Sequence, residues 1–182
     1  MIKLPKDFEL DRYGLHARLV QEEDAEFIVK LRTDPRHARF IGHTDNDVSK
    51  QVEWIREYKK RESNATDYYF IFYKDNKPIV LNRLYNIDWV HLTYTSGSWV
   101  SVPETDYETV MKCSIVLEEI ALDMLGLLVN CYDVRKGNKH VLSFHRNILH
   151  AYQYGETELD YLFMSTPETR KNSRLRKLLG IK

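Results

Sequence analysis

Two periodicities of hydrophobic and polar residues divide the chain into strands and helices. Alternating, β-branched and aromatic runs predict seven strands, and apolar residues three or four positions apart predict helices. The predicted strands cover residues 14–20, 67–73, 78–87, 91–101, 127–134, 150–154 and 158–164. The predicted helices cover residues 21–32, 49–61, 105–125 and 139–149, with a basic, solvated helical tail at 167–179. The order β-α-α-β-β-β-α-β-α-β-β predicts an α/β fold with a mixed sheet.

Local signals sharpen three of these boundaries. The Asp34–Pro35 pair ends the first helix, since a residue before proline avoids helical geometry. The residues KDNK at 74–77 predict a tight turn that makes the second and third strands a hairpin. Gly97 lies inside the fourth predicted strand, where a glycine indicates a bulge or a close approach of the backbone.

Length and composition favour a single domain over residues 1–182. No repeat or flexible linker divides the 182 residues, and 43% of them are hydrophobic. The 27 basic and 27 acidic residues give a formal net charge of zero, which argues against nucleic acid or an anionic membrane as partner. Cys113 and Cys131 are too few for a zinc site or a disulfide scaffold. We therefore expect a soluble, cytoplasmic protein with reduced thiols, no signal peptide and no membrane span.

Four segments resemble, in order and spacing, the GCN5-related N-acetyltransferase superfamily, usually called GNAT. They are residues 18–25, 69–88, 97–100 (GSWV) and 134–138 (VRKGN). The resemblance covers about residues 13–166, leaves 167–182 as a basic tail, and is closest to the branch of ribosomal-protein N-terminal and amino-sugar acetyltransferases. It implies a mixed central sheet of about seven strands flanked by helices, with a V-shaped splay between the fourth and fifth strands.

The resemblance also implies acetyl-CoA as co-substrate. In the family the pantetheine arm pairs with the end of the fourth strand, here Trp99, Val100 and Ser101. An asparagine that opens the helix after the fifth strand also contacts the arm, and Asn138 stands at that position. Asn138 is equally suited to cap the helix, and the two roles are compatible.

The phosphate-binding loop of the family is altered in this chain. Amide N–H groups at the start of the long third helix would meet the pyrophosphate. The usual motif, Gln/Arg-x-x-Gly-x-Gly/Ala, is replaced by Thr105, Glu108 and Val110 at its three key places. A phosphate site here must be built differently, and Thr105, Thr109 and Lys112 are the candidates for it.

Acid and base candidates also follow from the resemblance. The family's acid is a tyrosine seven residues after the asparagine, and here that residue is His145, which could supply a proton near neutral pH. The family's base is a glutamate on the fourth strand, and here that residue is Thr95, which cannot serve. His91, Glu104, Asp88 or a water held by Tyr94 and Ser96 are the substitutes.

The first helix and the following loop shape the acceptor pocket in this family. Basic side chains are concentrated there: Arg32, Arg36, His37, Arg39 and His43. With Tyr94 they could bind an anionic acceptor such as a nucleotide-sugar phosphate or a peptide carboxylate. The alternative is a solvated basic loop. His37 and His43 have no third ligand at a defined spacing, so no metal site is predicted.

Together these features predict an N-acyltransferase that moves an acetyl group from acetyl-CoA to a primary amine in a ternary complex. The acceptor would be a small molecule, an amino-sugar nucleotide or a protein N-terminus, and the fold is compatible with a homodimer. The altered phosphate loop and the missing glutamate favour the alternative, a catalytically degenerate module that binds an acyl-CoA or a protein partner without turnover.

Overall fold

One mixed sheet of eight strands runs through the described part of the computed structural model, residues 1–38 and 40–181, with only the backbone of His37 described. The strands lie in the order β1-β2-β3-β4-β5-β6-β8-β7, and only β5 and β6 of the described neighbours are parallel. The strands are β1 Glu9–Arg12, β2 Leu15–Leu19, β3 Tyr68–Lys74, β4 Lys77–Asp88, β5 Thr93–Ser101, β6 Val129–Arg135, β7 Tyr152–Glu156 and β8 Asp160–Ser165.

Helices cover both faces of this sheet. They are α1 Ala25–Arg32, α2 Pro35–Ala38, α3 Val48–Ser63, α4 Tyr107–Glu119, α5 Lys139–Asn147, α6 Pro167–Asn172 and α7 Leu175–Leu178. The α1 and α3 face packs Ile28 and Ile55 against Leu81 and Val100 of the sheet. The α4 face packs another buried cluster, in which Val116 and Ile120 lie with Leu84 and Tyr94. None of the described helices has both the length and the apolar character that a bilayer crossing needs.

The predicted α/β fold is confirmed, with one strand more than expected. Three of the four residues of β1 are exposed, so this strand has no hydrophobic pattern from which to predict it. It pairs with β2 across a turn in which Tyr13 and Gly14 both have positive φ, 55° and 76°. The predicted turn at 74–77 is also present, and Asp75 and Asn76 have φ of 50° and 60°.

The long third predicted helix is interrupted near its end. The α-helix α4 stops at Glu119, and Ile120–Met124 form a π-helical turn closed by a hydrogen bond of 3.0 Å from Leu125 N to Ile120 O. Gly126 follows with φ of 71°, in agreement with its predicted role as a cap. A π-helical stretch of five residues is a single turn and too short to show a period of its own, so the sequence pattern does not register the change.

The basic tail is packed and not solvated. Leu175 of α7 is buried in a cluster with Met111 and Ile115 of α4. Arg170 and Arg176 form ion pairs of 3.0 Å with Glu118 and Glu119 of α4. The two tail arginines are therefore neutralised by carboxylates on a helix some fifty residues earlier in the chain. The distribution of charges along the sequence does not reveal these pairs.

Candidate active site

The strands β5 and β6 separate soon after they begin. Among the described residues they pair only at Thr93 with Val129 and at Tyr94 with Asn130. Beyond that point the Asn130 side chain spans the gap: its Oδ1 accepts from Ser96 N at 2.9 Å, and its Nδ2 donates to Ser96 Oγ at 2.8 Å. The strands then diverge towards Ser101 and Arg135. Since β1 was not predicted, β5 and β6 are the fourth and fifth predicted strands, and the predicted V-shaped splay is confirmed.

A bulge in β5 faces this splay. Leu81 of β4 pairs with Val100, and Arg83 pairs with Gly97, so Ser98 and Trp99 oppose Asn82 alone. Ser98 has a positive φ of 53°, as the extra residue of a bulge often does. A bulge leaves a residue outside the ladder, so backbone polar groups are available at the wall of the gap.

Gly97 lies next to the bulge and is approached closely by a tyrosine ring. A Cβ at this position would lie 2.9 Å from the hydroxyl oxygen of Tyr85 and 3.0 Å from its Cε1. Only glycine allows the Tyr85 ring this close to the strand. The interpretation of Gly97 as a site of bulging and close approach is therefore confirmed.

The splay opens into a cleft of about 900 Å³, within the range of small-molecule sites. Strands β4, β5 and β6 and helices α4 and α5 contribute most of its wall. The predicted site residues that line it are Trp99, Val100, Ser101, Thr105, Asn138, His145, Tyr94, Arg32 and Arg36. Arg39 and the side chain of His37 were also predicted for the acceptor pocket, and both lie outside the described residues.

Several predicted site residues are not brought to the cleft, among them His43, an exposed side chain whose Nε2 is 3.2 Å from Asp45 Oδ1. His91 is exposed in the turn before β5, at the end away from the bulge, and its Nδ1 is 2.7 Å from Asp88 Oδ2. That contact and two backbone N–H groups lower the pKa of Asp88 to about 2, and the two side chains are engaged with each other at the surface. Glu104 is 76% exposed and points to Arg36 Nη1 at 3.9 Å.

The side chain of Thr109 is also not brought to the cleft. Its hydroxyl donates to Asp106 Oδ2 at 2.7 Å and accepts from Lys74 Nζ at 2.8 Å. The side chain is therefore occupied on the side of α4 that faces the β3–β4 hairpin, and it is not available to a ligand in the cleft. The sequence places Thr109 correctly in the first turn of the helix but does not give the direction of its side chain.

The N-terminus of α4 is the part of the cleft wall best suited to an anion. Asp106 caps the helix by accepting from Thr109 N at 2.8 Å, and the Thr109 contacts and Lys74 hold the pKa of this carboxyl well below its usual range. The amides of Tyr107 and Glu108 donate to no other described residue. The Thr105 hydroxyl oxygen is buried there without a hydrogen-bond partner among the described residues.

The wall opposite α4 carries a buried histidine. His145 is only 9% exposed, and its Nδ1 lies 2.8 Å from the hydroxyl oxygen of Tyr132 on β6. Burial lowers the pKa of His145 to about 4 and raises the pKa of Tyr132. At neutral pH His145 is therefore an uncharged imidazole that hydrogen-bonds, and not the cationic proton donor expected from its type. Asn138 caps the same helix by accepting from Val141 N.

Several residues of the cleft have no counterpart in the sequence-based set. Tyr85, Asn130, Tyr132 and Asp133 come from the strands, and Glu118 comes from α4. Burial raises the pKa of Glu118, and the ion pair with Arg170 opposes that shift. Asp133 had a visible signal, because it is the only carboxylate within the apolar run LLVNCYDV. The described His, Cys, Asp and Glu side chains form no group of three that could hold a metal.

Comparisons with known proteins agree with this geometry. No family model and no curated protein matches the sequence. Among solved structures, FdhC, a nucleotide-linked sugar GNAT, superposes with a TM-score of 0.84 at 29% identity, over 97% of this chain and 99% of that one. A ribosomal-protein-S5-alanine acetyltransferase from Vibrio fischeri has a TM-score of 0.72 at 13% identity, over 88% and 97% of the two chains.

A third similar structure is the spermidine/spermine N-acetyltransferase SpeG from Vibrio cholerae, with a TM-score of 0.72 at 14% identity, over 88% and 98% of the two chains. At these identities the last two likenesses concern the fold. The splayed strands, the bulge and these neighbours together identify the fold: the chain has the fold of the GNAT acetyltransferases and is similar to a nucleotide-linked sugar GNAT.

Proposed function

We propose that the protein transfers an acetyl group from acetyl-CoA to a primary amine on a small molecule that also carries an anionic group, such as a nucleotide-linked amino sugar. The observation that carries this proposal is the open V between β5 and β6, with a bulge in its wall. The cytoplasm, expected from the reduced cysteines, suits such a reaction.

The free edge of β5 supports the assignment of the co-substrate. Residues Trp99–Ser101 have no strand partner on the β6 side. An extended pantetheine arm has amides that can pair with such an edge as an added strand does. Asn138 faces the cleft from the other wall and would contact the same arm. The unpartnered Thr105 hydroxyl and the free amides of α4 would receive the pyrophosphate.

The reaction then needs only groups of the chain. In direct transfer the amine nitrogen attacks the thioester carbonyl carbon, and the C–S bond breaks as the tetrahedral intermediate collapses. A bulge N–H on β5 would stabilise the carbonyl oxygen as it gains charge. The neutral imidazole of His145 would donate a hydrogen bond to the departing thiolate, since its Nδ1 is already bonded to Tyr132.

Arg32 supports an anionic acceptor. Its guanidinium donates to Thr44 Oγ1 at 2.8 Å and to Gly42 O at 3.2 Å, and it forms no ion pair with the described residues. Arg36, by contrast, is engaged by Asp34. A cleft arginine without a carboxylate partner is suited to a phosphate or carboxylate. The likeness to a nucleotide-linked sugar GNAT agrees with an acceptor of this class.

The degenerate-module alternative is favoured by the missing strand glutamate and by the altered phosphate loop, in which the acidic Asp106 and Glu108 lie beside the proposed pyrophosphate site. It predicts that the segment 102–109 fills the cleft. Thr105 and Tyr107 contribute to the wall, and about 900 Å³ of space remains between β5 and β6. The open cleft favours the enzyme.

Isothermal titration with acetyl-CoA tests the proposal first, with CoA and 3′-dephospho-CoA as controls. We expect micromolar binding, followed by thiol release with at least one of UDP-glucosamine, glucosamine 6-phosphate, glucosamine, spermidine and an alanine-initiated peptide. Asn138→Ser keeps a helix cap but loses the amide, so it should weaken acetyl-CoA binding. Asn147→Ser, on the exposed end of the same helix, should not. No binding up to millimolar acetyl-CoA would overturn the proposal.

A further inference from the structure

Asp133 lies on the acceptor side of the cleft. Its neighbours Tyr132 and Val134 pack with Leu142 of α5 and with Phe163. Because side chains alternate along a strand, Asp133 points to the opposite face of the sheet, the face covered by α1 and α3. It is exposed there and lines the cleft.

Strand register brings Asp133 opposite the bulge. The parallel pairing of Tyr94 with Asn130, continued at the same spacing, would bring Gly97 level with Asp133. Tyr85 lies on the same face, because its ring covers Gly97. Burial raises the pKa of Tyr85, and the negative charge of Asp133 across the gap raises it further. The two side chains therefore face each other over the widening splay.

Asp133 differs from the other carboxylates of the cleft in its partners. Glu118 is 3.0 Å from Arg170 Nε, and Asp160 is 3.3 Å from Arg135 Nε. Asp133 forms no ion pair or hydrogen bond with the described residues. An unpaired carboxylate beside the site of bond formation attracts an ammonium group and can accept a proton from it.

We propose that Asp133 accepts the proton that the acceptor amine loses as the new C–N bond forms. This inference rests on the proposed acetyl transfer and adds the base that the sequence does not supply at Thr95. The amine lone pair forms the bond to the carbonyl carbon, and the carbonyl π pair moves to oxygen. The N–H proton passes to an Asp133 oxygen, directly or through one water, and the thiolate leaves with the C–S pair.

The charged and ionisable groups around Asp133 determine which of them could contribute to the pH dependence of the reaction. The ionisable and charged groups that face it are Tyr85 and Arg83 on β4, Cys131 and Arg135 on β6, and Asp160 on β8. Arg83 is held by Asp67, and Arg135 is paired with Asp160. Burial raises the pKa of the Cys131 thiol, as it does that of Tyr85. Neither of these two groups therefore competes with the carboxylate for protons below neutral pH.

The test compares Asp133→Asn, Asp133→Ala and Asp133→Glu with wild type, using UDP-glucosamine and hydroxylamine as acceptors and acetyl-CoA as donor. Asp75→Asn, in the exposed β3–β4 turn, is the matched control. We expect Asp133→Asn to lower kcat/KM for UDP-glucosamine by about 100-fold, the usual contribution of a general base. Asp133→Glu should retain more activity than Asp133→Asn, and added formate should restore part of the activity of Asp133→Ala.

Two readouts separate this role from a structural one. Acetyl-CoA binding by titration should stay within about twofold of wild type in every variant. The loss in Asp133→Asn should shrink as pH rises, because solvent bases then replace the carboxylate. If wild type is active and the kcat/KM of Asp133→Asn lies within twofold of it, the inference is wrong and the proposed function stands. The same holds if formate does not raise the activity of Asp133→Ala. Wild type that acetylates neither acceptor would overturn both.

Discussion

The hydroxyl oxygen of Tyr132 lies 2.8 Å from Nδ1 of His145, and the two rings are 4.6 Å apart at their centroids. This contact joins β6 to α5 in the wall of the cleft. Because His145 is neutral at neutral pH, one ring nitrogen carries its proton, and when the tyrosine donates to Nδ1 the other nitrogen is the donor. The pair thus presents a donor and not a charge, which determines how stability and activity respond to pH.

The burial of His145 predicts that the protein loses stability in mild acid. The pKa of His145 is about 4 in the folded chain and about 6.5 when unfolded. Between these values the unfolded chain binds more protons, so the free energy of unfolding falls as pH decreases from about 6.5 towards 4 and is constant above. The total loss is about 3.5 kcal/mol, for a pKa difference of about 2.5 units at about 1.4 kcal/mol each.

Urea unfolding of wild type and His145→Phe between pH 4.5 and 7.5 measures this effect. The aromatic replacement retains the stacking neighbours Phe144 and Phe163 but does not titrate. The difference between the two proteins should therefore narrow or reverse as pH falls. Parallel stability curves for the two proteins would contradict the assignment.

The same contact predicts a non-additive effect on catalysis. Tyr132→Phe removes the group that orients the imidazole, and His145→Ala removes the imidazole itself. We expect each change to lower kcat about tenfold, and the double variant to be no worse than the poorer single, since residues that act as one unit are not additive. Steady-state kinetics with saturating acetyl-CoA measure this, and additive losses would show that the two residues act separately.

Gly97 predicts a steric effect at the bulge. In Gly97→Ala the new methyl group would collide with Tyr85 and destabilise the protein by about 1–3 kcal/mol. Combined with Tyr85→Ala, the same change should have almost no further cost. Gly155→Ala is the matched control, because a Cβ at that strand glycine meets Leu162 Cδ1 at an ordinary 3.5 Å. Equal destabilisation by the two glycine changes, measured by thermal unfolding, would argue against the close approach.

Arg32 predicts the charge preference of the acceptor site. Arg32→Gln removes the cation and leaves a side chain that can still donate to Thr44. We expect KM for glucosamine 6-phosphate and UDP-glucosamine to rise about tenfold or more, as for a lost charge-assisted hydrogen bond. The KM for glucosamine, which carries no phosphate, should change little. A uniform rise across all acceptors would instead indicate a general distortion of the α1–α2 region.

The residue pattern was sufficient to predict most of the fold, because seven of the eight strands carry an alternating, β-branched, aromatic or continuous apolar run. The exposed β1 and the π-helical turn at Ile120–Met124 produce no hydrophobic signal of their own. Residues within a motif of the family, such as Trp99 and Asn138, were correctly predicted from the sequence to lie in the cleft. Thr109 and His91 were not, because a sequence gives position along an element and not the direction of a side chain.

Contacts across the splay were beyond sequence reasoning for a different reason. Asp133, Tyr85 and Gly97 meet only through the register of three strands, two of which are joined by the long α4 connection. A shift of one residue would turn Asp133 to the other face. The chemistry of His145 also depended on the fold, since its pKa is set by burial among aromatic rings and not by its identity.

The side-chain bracket between Asn130 and Ser96 has a mechanical meaning. Strands β1–β5 form one half of the sheet and β6–β8 form the other, and the Asn130–Ser96 hydrogen bonds lie where the two halves are joined. A ligand bound between the two halves of the sheet would push them apart, and the Asn130 amide next to the last paired residues would resist that separation. The width of the cleft therefore depends on Asn130, so replacing it with a longer or shorter residue should change the size of acyl group accepted without altering the lining residues nearer the open end.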